Sequence, residues 1–202
     1  MLFTEFSHEQ QNLMIEIAQD SIASKLKLQP RYRSADYDSI STLDWLEKPA
    51  ATFVTLSING ALRGCIGTLE ARRSLLQDLQ SNAVNAAFYD SRFEPVSVSE
   101  FESLSIHISV LTAPVKLDVS NEKELLSSLR LGIDGLIIEE GGHRATFLPQ
   151  VWHQLPTAKK FIERLKLKAG LPSGYWSDRI HFYTYQVIDV VDHNVEKHSR
   201  NY

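Results

Sequence analysis

The dipeptide Asn59-Gly60 separates two segments that have the composition of β-strands. Residues 51–58 before it are ATFVTLSI, and residues 61–70 after it are ALRGCIGTLE. Asn and Gly both tolerate positive φ, which the two-residue turns of β-hairpins require. The sequence therefore predicts a hairpin here, and this hairpin restricts the chain to folds that contain an antiparallel sheet.

The same turn predicts which side chains meet. A regular two-residue turn pairs Leu56 with Arg63 and Val54 with Cys65 across the hairpin. Arg63 and Cys65 then project from one face, because side chains two residues apart in a strand point the same way. We therefore expect a guanidinium beside the only cysteine of the chain.

Cys65 allows two interpretations that the residues alone leave open. A free cysteine is among the most buried residue types, and opposite Val54 it would fill core space. Alternatively, Gly64 and Gly67 mark a place where a ligand or another backbone approaches closely, and Arg63 favours the thiolate. The second interpretation makes Cys65 a catalytic or ligand-contacting residue.

A nucleophilic thiol needs a base, which is usually a histidine. Among seven histidines, His107 and His143 are the candidates, but no spacing connects either of them to Cys65. His107 lies in an alternating segment, where a polar-face residue is more typical than a catalyst. The base partner of Cys65 is therefore not identified from the sequence.

The composition restricts the class of protein. With 43% apolar and 23% charged residues in a chain of 202, the sequence is typical of a globular domain rather than a disordered, collagen-like or membrane-embedded one. A single cysteine forms no intrachain disulfide, so we expect a reducing compartment and a cytoplasmic location. No apolar run reaches the roughly 18 residues of a spanning helix, and no membrane partner is expected.

Charge and motifs limit the partners further. The formal net charge of −4 provides no general attraction for nucleic acid, so a nucleic-acid partner is not expected. The densest basic group has helical spacing and is interpreted as the solvated side of a helix: Lys159, Lys160, Arg164, Lys166 and Lys168. The sequence contains no HExxH, paired CxxC, GxGxxG or Walker-type loop, so it identifies no metal site and leaves any cofactor unknown.

Capping and periodicity signals predict helices interspersed with strands. Helices are expected over 8–26 with Ser7 as the cap, from Ser74 to about Phe88, from Asn121 to about Arg130, and from Thr157 to Gly170. Strands are expected over 51–58, 61–70 and 104–111, in a hairpin around Gly141-Gly142, and as one long final element, RIHFYTYQVIDVV. This order predicts an α+β fold with a mixed, largely antiparallel sheet flanked by helices.

The segment YDSRFEP, at 89–95, is predicted to be a loop because it is polar and limited by proline. Asp90 and Arg92 could form an exposed ion pair there, which is worth less than about 1 kcal/mol. Loop positions also commonly carry function.

Six segments together resemble a known family. They are LRGCIGTLE at 62–70, DSRFEPV at 90–96, ISVLT at 108–112, GIDGLIIE at 132–139, TFLPQVW at 146–152 and LKAGLP at 167–172. In this order they are similar to the AMME syndrome candidate protein family, the AMMECR-type domain, whose prokaryotic members include protein A of the AmmeMemoRadiSam system. The resemblance implies a single domain over residues 1–202, with a larger sheet-and-helix lobe and a smaller lobe.

The resemblance also implies the site residues and partners. It makes Cys65 a candidate catalytic residue, and it implies binding roles for Arg63, Gly64, Gly67, Glu70, Asp90, Ser91, Arg92, Phe93, Thr146 and Gln150. Prokaryotic relatives are often encoded beside a Memo-like protein and a radical SAM protein, which are the partners expected by analogy.

Three functions follow as hypotheses. The first is a binding or accessory domain whose cleft between the lobes holds a small anionic or nucleotide-like ligand or a segment of a partner. The second is an enzyme in which Cys65 is a nucleophile or carries a transferred group. The third is RNA binding, which would show marked salt dependence.

Overall fold

A computed structural model of the chain describes residues 5–29 and 39–192. It divides into two compact units. The first contains the described residues up to Leu111 and those from Ile188 onward, and the second is Thr112–Val187.

Helices and strands alternate along the chain as predicted. The helices are α1 (His8–Lys25), α2 (Asp44–Glu47), α3 (Leu75–Phe88), α4 (Val98–Phe101), α5 (Glu122–Ser128) and α6 (Ala158–Lys168), with a 3-10 helix at Pro149–His153. The strands are β1 (Pro49–Ile58), β2 (Ala61–Gly67), β3 (Arg73–Ser74), β4 (Ser105–Leu111), β5 (Val115–Lys116), β6 (Gly135–Glu140), β7 (His143–Phe147), β8 (His181–Tyr185) and β9 (Val187–Val191). The predicted α+β class is confirmed, with the strands in two sheets.

The predicted helix caps are confirmed. Ser7 and Gln10 form the reciprocal capping box of α1, in which each side chain accepts the backbone N–H of the other residue. Ser74, Asn121 and Thr157 accept the expected backbone N–H groups at the starts of α3, α5 and α6. Each of these oxygens satisfies a donor that the first turn of a helix leaves unpaired.

The first unit is built on a sheet of order β2-β1-β4-β9, and the short β3 pairs with the start of β1. The apolar sides of α1 and α3 pack on one face of this sheet. The core there includes Ile17, Ile22, Val54, Leu56, Leu79, Ala83, Ala86, Ile106, Ile108 and Val190. Residues that alternate with these on the strands therefore lie on the opposite face of the sheet.

A buried polar network joins α3 to β1 in this unit. Asp78 is 1% exposed, and its Oδ2 accepts hydrogen bonds from Thr52 N, Thr52 Oγ1, Thr68 Oγ1 and Asn82 Nδ2. Its Oδ1 accepts a hydrogen bond from Arg73 Nη2 at 2.7 Å. These donors compensate the carboxylate for its loss of water, and they fix α3 along the sheet.

The second unit has its own sheet, of order β5-β8-β6-β7, and its own core. The predicted hairpin of β6 and β7 is confirmed, with Gly141 at φ +57°. The rings of Trp152 and Phe161 stack at 3.8 Å with an interplanar angle of 4°. The helix that was expected to end at Gly170 is α6, and Gly170 follows it at φ +78°, the conformation of a left-handed C-terminal cap.

The long final strand was predicted wrongly. Its sequence forms two strands, β8 in the second sheet and β9 in the first. Gln186 separates them, because its backbone N–H and C=O are bonded to Thr112 and not to either ladder. Composition alone does not reveal this change of sheet, since β-branched and aromatic residues continue through both strands.

The prediction of a solvated basic face on α6 is also wrong at one position. Lys166 is fully buried, with Nζ bonded to Glu122 and lying 5.7 Å from the centroid of the Trp176 ring. It follows Ile162 by four residues, so the helical period places it on the buried side with Ile162 and Leu165.

Candidate functional site

The hairpin of β1 and β2 forms as predicted, but its register does not. Asn59 and Gly60 have φ of 51° and 78°. The register then shifts at a β-bulge, so that Leu56 pairs with Gly64 and Thr55 pairs with Cys65. The predicted pairs of Leu56 with Arg63 and of Val54 with Cys65 are therefore wrong.

This shift decides where Cys65 points. A change of register by one residue moves a side chain to the other face of a sheet. Cys65 thus shares the face of Thr55, away from the core that contains Val54 and Leu56, and it is half-buried. Cys65 therefore does not belong to the hydrophobic core of the first unit.

Gly64 lies opposite Leu56 on the core face of the sheet, where the predicted register placed Arg63. A Cβ on Gly64 would lie 2.1 Å from the carbonyl oxygen of Ala86 in α3. The helix and strand therefore approach backbone to backbone at this point, which only glycine permits. The close approach predicted from Gly64 is to the protein's own helix.

Gly67 has a related explanation. A Cβ there would lie 2.3 Å from Cγ of Phe53 and 2.6 Å from the carbonyl oxygen of Thr52. Packing against α3 thus accounts for Gly64 and packing within the hairpin accounts for Gly67, while their ligand contacts remain predictions.

Four polar side chains on neighbouring strands form a row, which we call the polar row. It consists of Cys65 on β2, Thr55 on β1, His107 on β4 and Asp189 on β9. Thr55 Oγ1 donates to Cys65 Sγ at 3.3 Å, and Thr55 is the direct pairing partner of both Cys65 and His107. The sheet therefore connects His107 with Cys65, which the spacing in the sequence did not.

Asp189 orients the imidazole of this row. Its Oδ1 lies 2.8 Å from His107 Nε2 and accepts a hydrogen bond from Ser109 Oγ at 2.8 Å. The bond from His107, aided by Ser109, lowers the pKa of Asp189 and outweighs the opposing effect of burial. The side chains of His107 and Asp189 are 40% and 50% exposed, so both are accessible from solvent.

The guanidinium of Arg63 is bonded to a carboxylate of the chain. Its Nε and Nη2 donate to the carboxylate of Glu100 at 2.8 and 3.2 Å. This pair, with the hydrogen bonds that Ser97 donates, lowers the pKa of Glu100 to about 2. The guanidinium thus anchors the bulge of β2 to the start of α4.

The predicted pair of Asp90 and Arg92 is confirmed, but Asp90 is buried and not exposed. Arg92 donates Nε to Oδ1 at 2.9 Å and Nη2 to Oδ2 at 2.6 Å. These bonds from Arg92 hold the pKa of Asp90 well below its usual range, against the effect of burial. The pair also reaches the backbone of Cys65, through Asp90 Oδ2 and Arg92 Nη2.

The other predicted site residues are not brought into the polar row. Glu70 pairs with Arg72, and Ser91 and Phe93 lie in the turn that carries Arg92. Thr146 and Gln150 belong to the second unit. There Thr146 Oγ1 donates to Leu136 O at 2.9 Å and lies 3.0 Å from the hydroxyl oxygen of Tyr185. The predicted cleft that would join them to Cys65 stays a prediction.

Similarity to known proteins identifies the family of this chain. The AMMECR1 family model matches residues 15–190. This chain belongs to the AMMECR1 family. Within the described part of this AMMECR1-family protein, no helix is long and apolar enough to cross a membrane.

Archaeal proteins are similar to this AMMECR1-family chain over most of its length. One from Methanothermobacter thermautotrophicus is 34% identical over 179 residues, covering 88% of this chain and 91% of the relative. Another from Saccharolobus solfataricus is 35% identical over 184 residues, covering 86% and 77%. The crystal structure of an uncharacterised protein from Pyrococcus horikoshii is similar with a TM-score of 0.72 and 28% identity, covering 91% and 92% of the two chains.

Replacing Gly64 tests the contact that sets the register. Gly64→Ala would place a methyl group against backbone atoms of α3, so helix and strand must separate. We expect a loss of about 3 kcal/mol in the free energy of unfolding, measured by urea titration. Gly142→Ala is the matched control, because nothing lies within 4 Å of its Cβ position. Equal stability of the two variants would contradict the account of the bulge.

The pair of Arg63 and Glu100 predicts a pH dependence. Folding lowers the pKa of Glu100 from 4.5 to about 2, so its stabilisation is present above pH 4.5 and is lost as the pH falls toward 2. Glu100→Gln should be less stable than wild type by on the order of 1 kcal/mol near neutral pH. Urea titrations should show this difference shrinking across that interval, and a difference independent of pH would disprove the assignment.

Proposed function

We propose that this protein is a binding and accessory domain that acts through the polar face of its first sheet, with Cys65 in contact with what it binds. The observation that carries the proposal is the polar row. A thiol, a hydroxyl, an imidazole and a carboxylate lie side by side on four strands, on the face opposite the core. Hydrogen bonds connect Thr55 to Cys65 and His107 to Asp189 within this row.

The geometry favours a segment of a partner protein over a small anion. Four strands span three intervals of about 4.8 Å, so the polar row extends over about 14 Å, which suits an extended segment. The two arginines considered for anion binding each donate two hydrogen bonds to a carboxylate of this chain. An incoming phosphate or carboxylate would have to compete with those intramolecular partners.

Family analogy supplies the partners to be tested first. Prokaryotic AMMECR-type proteins are often encoded beside a Memo-like protein and a radical SAM protein, in the AmmeMemoRadiSam system. A single cysteine without a disulfide partner fits a shared cytoplasmic location. We therefore propose that the polar row receives a segment of one of these two proteins.

A second function is favoured by one specific contact. The Thr55 hydroxyl is hydrogen bonded to Cys65 Sγ, and His107 is oriented by Asp189, which together are the parts of an activated thiol site. Thr55 separates the two, so the Cys65 and His107 backbones are about 10 Å apart. A bridging water or substrate atom would be needed to carry the thiol proton to the imidazole. We therefore place the enzyme second.

Partner binding tests the first function directly. The Memo-like and radical SAM proteins encoded in the same genome would each be titrated with this protein by calorimetry. We expect at least one to bind, and His107→Ala to weaken that binding about tenfold because the imidazole lies at the centre of the row. Asn12→Ala is the control, since Asn12 is exposed on α1, which packs on the opposite face. Binding that is absent for both proteins, or unchanged in His107→Ala, would refute the proposal.

Alkylation of the thiol separates the two functions. Cys65 is half-buried, and we expect iodoacetamide to modify it in the native protein. If the protein is a binding domain, His107→Ala should change this rate by less than about twofold, whereas loss of a catalytic base should slow it about tenfold or more. Mass spectrometry gives the rate. Modification only after denaturation would remove Cys65 from both functions.

A further inference from the structure

The outer edge of β2 is closed at Cys65 by two side chains, which we call the Asp90–Arg92 clip. Asp90 Oδ2 accepts the backbone N–H of Cys65 at 2.9 Å. Arg92 Nη2 donates to the backbone carbonyl of Cys65 at 3.3 Å. One residue of an adjacent antiparallel strand would make the same two bonds, one as acceptor and one as donor. The clip thus replaces a neighbouring strand at a single residue.

The clip is rigid because its carboxylate is buried and fully engaged. Asp90 is 6% exposed and accepts hydrogen bonds from Nε and Nη2 of Arg92 as well as from the Arg92 backbone N–H. Charge-assisted bonds in this bidentate geometry fix orientation as well as distance. A displacement of Asp90 would break several of these bonds together.

The clip is also attached to the helix that packs against β2. Asp90 lies two residues after the end of α3, and Tyr89 N–H is bonded to Asn85 O in the last turn. On the other side of the loop, Val96 N–H is bonded to Ala87 O. One helix therefore contacts the residue before Cys65 and carries the clip that holds Cys65 itself.

We infer that Asp90 and Arg92 are positioning residues for Cys65, and that they fix the peptide groups on either side of it so that the thiol keeps one orientation on the polar face. The inference rests on the proposed function in one respect: that function gives the reason why the thiol needs a fixed orientation. It assigns Asp90 and Arg92 to the backbone of Cys65, and no longer to a ligand.

The test is hydrogen exchange at the Cys65 amide, followed by NMR on the free, full-length protein. Asp90→Asn and Arg92→Ala should accelerate this exchange at least about tenfold relative to amides of the β1 core, because local opening of the edge becomes easier. The rate of alkylation of Cys65 by iodoacetamide should change with it. A residue that only stabilised the fold would lower the melting temperature without this local effect.

Glu100→Gln is the matched control. It also removes one negative charge from the carboxylate partner of an arginine, here Arg63 on β2, and Glu100 has no hydrogen bond to Cys65 among its contacts with Arg63 and Ser97. Its Cys65 exchange should stay within about twofold of wild type. If Asp90→Asn does not fold, Arg92→Ala carries the test, since 54% of that side chain is exposed. Unchanged exchange in Arg92→Ala, or equal acceleration in Glu100→Gln, would overturn the inference. Neither readout involves a partner, so failure of partner binding would refute the proposed function alone.

Discussion

The contact of β2 with α3 at Gly64 determines which residues of the hairpin face the helices. The carbonyl oxygen of Ala86 lies 2.1 Å from the position that a Cβ of residue 64 would occupy, so the backbones of β2 and α3 are in contact there. No residue larger than glycine fits at position 64 without separating the strand from the helix. The bulge supplies the extra residue that brings Gly64 to this position opposite Leu56. Cys65 must then face the other side, so the close packing of the core places the thiol outside it.

Two ion pairs contact β2 close to Cys65 and help to hold this strand in place. Arg63 is bonded to Glu100, and Arg92 to Asp90, so both positive charges are compensated within the chain. Each pair touches β2, one at the bulge and one at the residue that presents the thiol. A partner at the polar row would therefore meet the thiol, hydroxyl, imidazole and carboxylate of that row, and neither of these two guanidinium groups is free of an intramolecular carboxylate.

Local signals predicted the elements, because turns and helix caps depend on residues three or four positions apart. Asn59-Gly60 and Ser7 with Gln10 behave as such signals predict. The prediction of the hairpin register was wrong because the bulge depends on the packing of Gly64 against Ala86, which is more than twenty residues further along the chain. The polar row was missed for the same reason: His107 and Asp189 are 82 positions apart, and only the order of strands brings them together.

Four of the five residues in the segment RGCIG can therefore be explained individually. Arg63 anchors the bulge, Gly64 admits the helix and Gly67 accommodates Phe53, so three of its members act on the protein's own packing. Cys65 differs from them, since its side chain fills no core space and its backbone is bonded by two charged residues from another loop. These two bonds close the outer edge of β2 at the residue that carries the thiol. Their convergence on the Cys65 backbone is the observation from which we infer that Asp90 and Arg92 hold its thiol in one orientation.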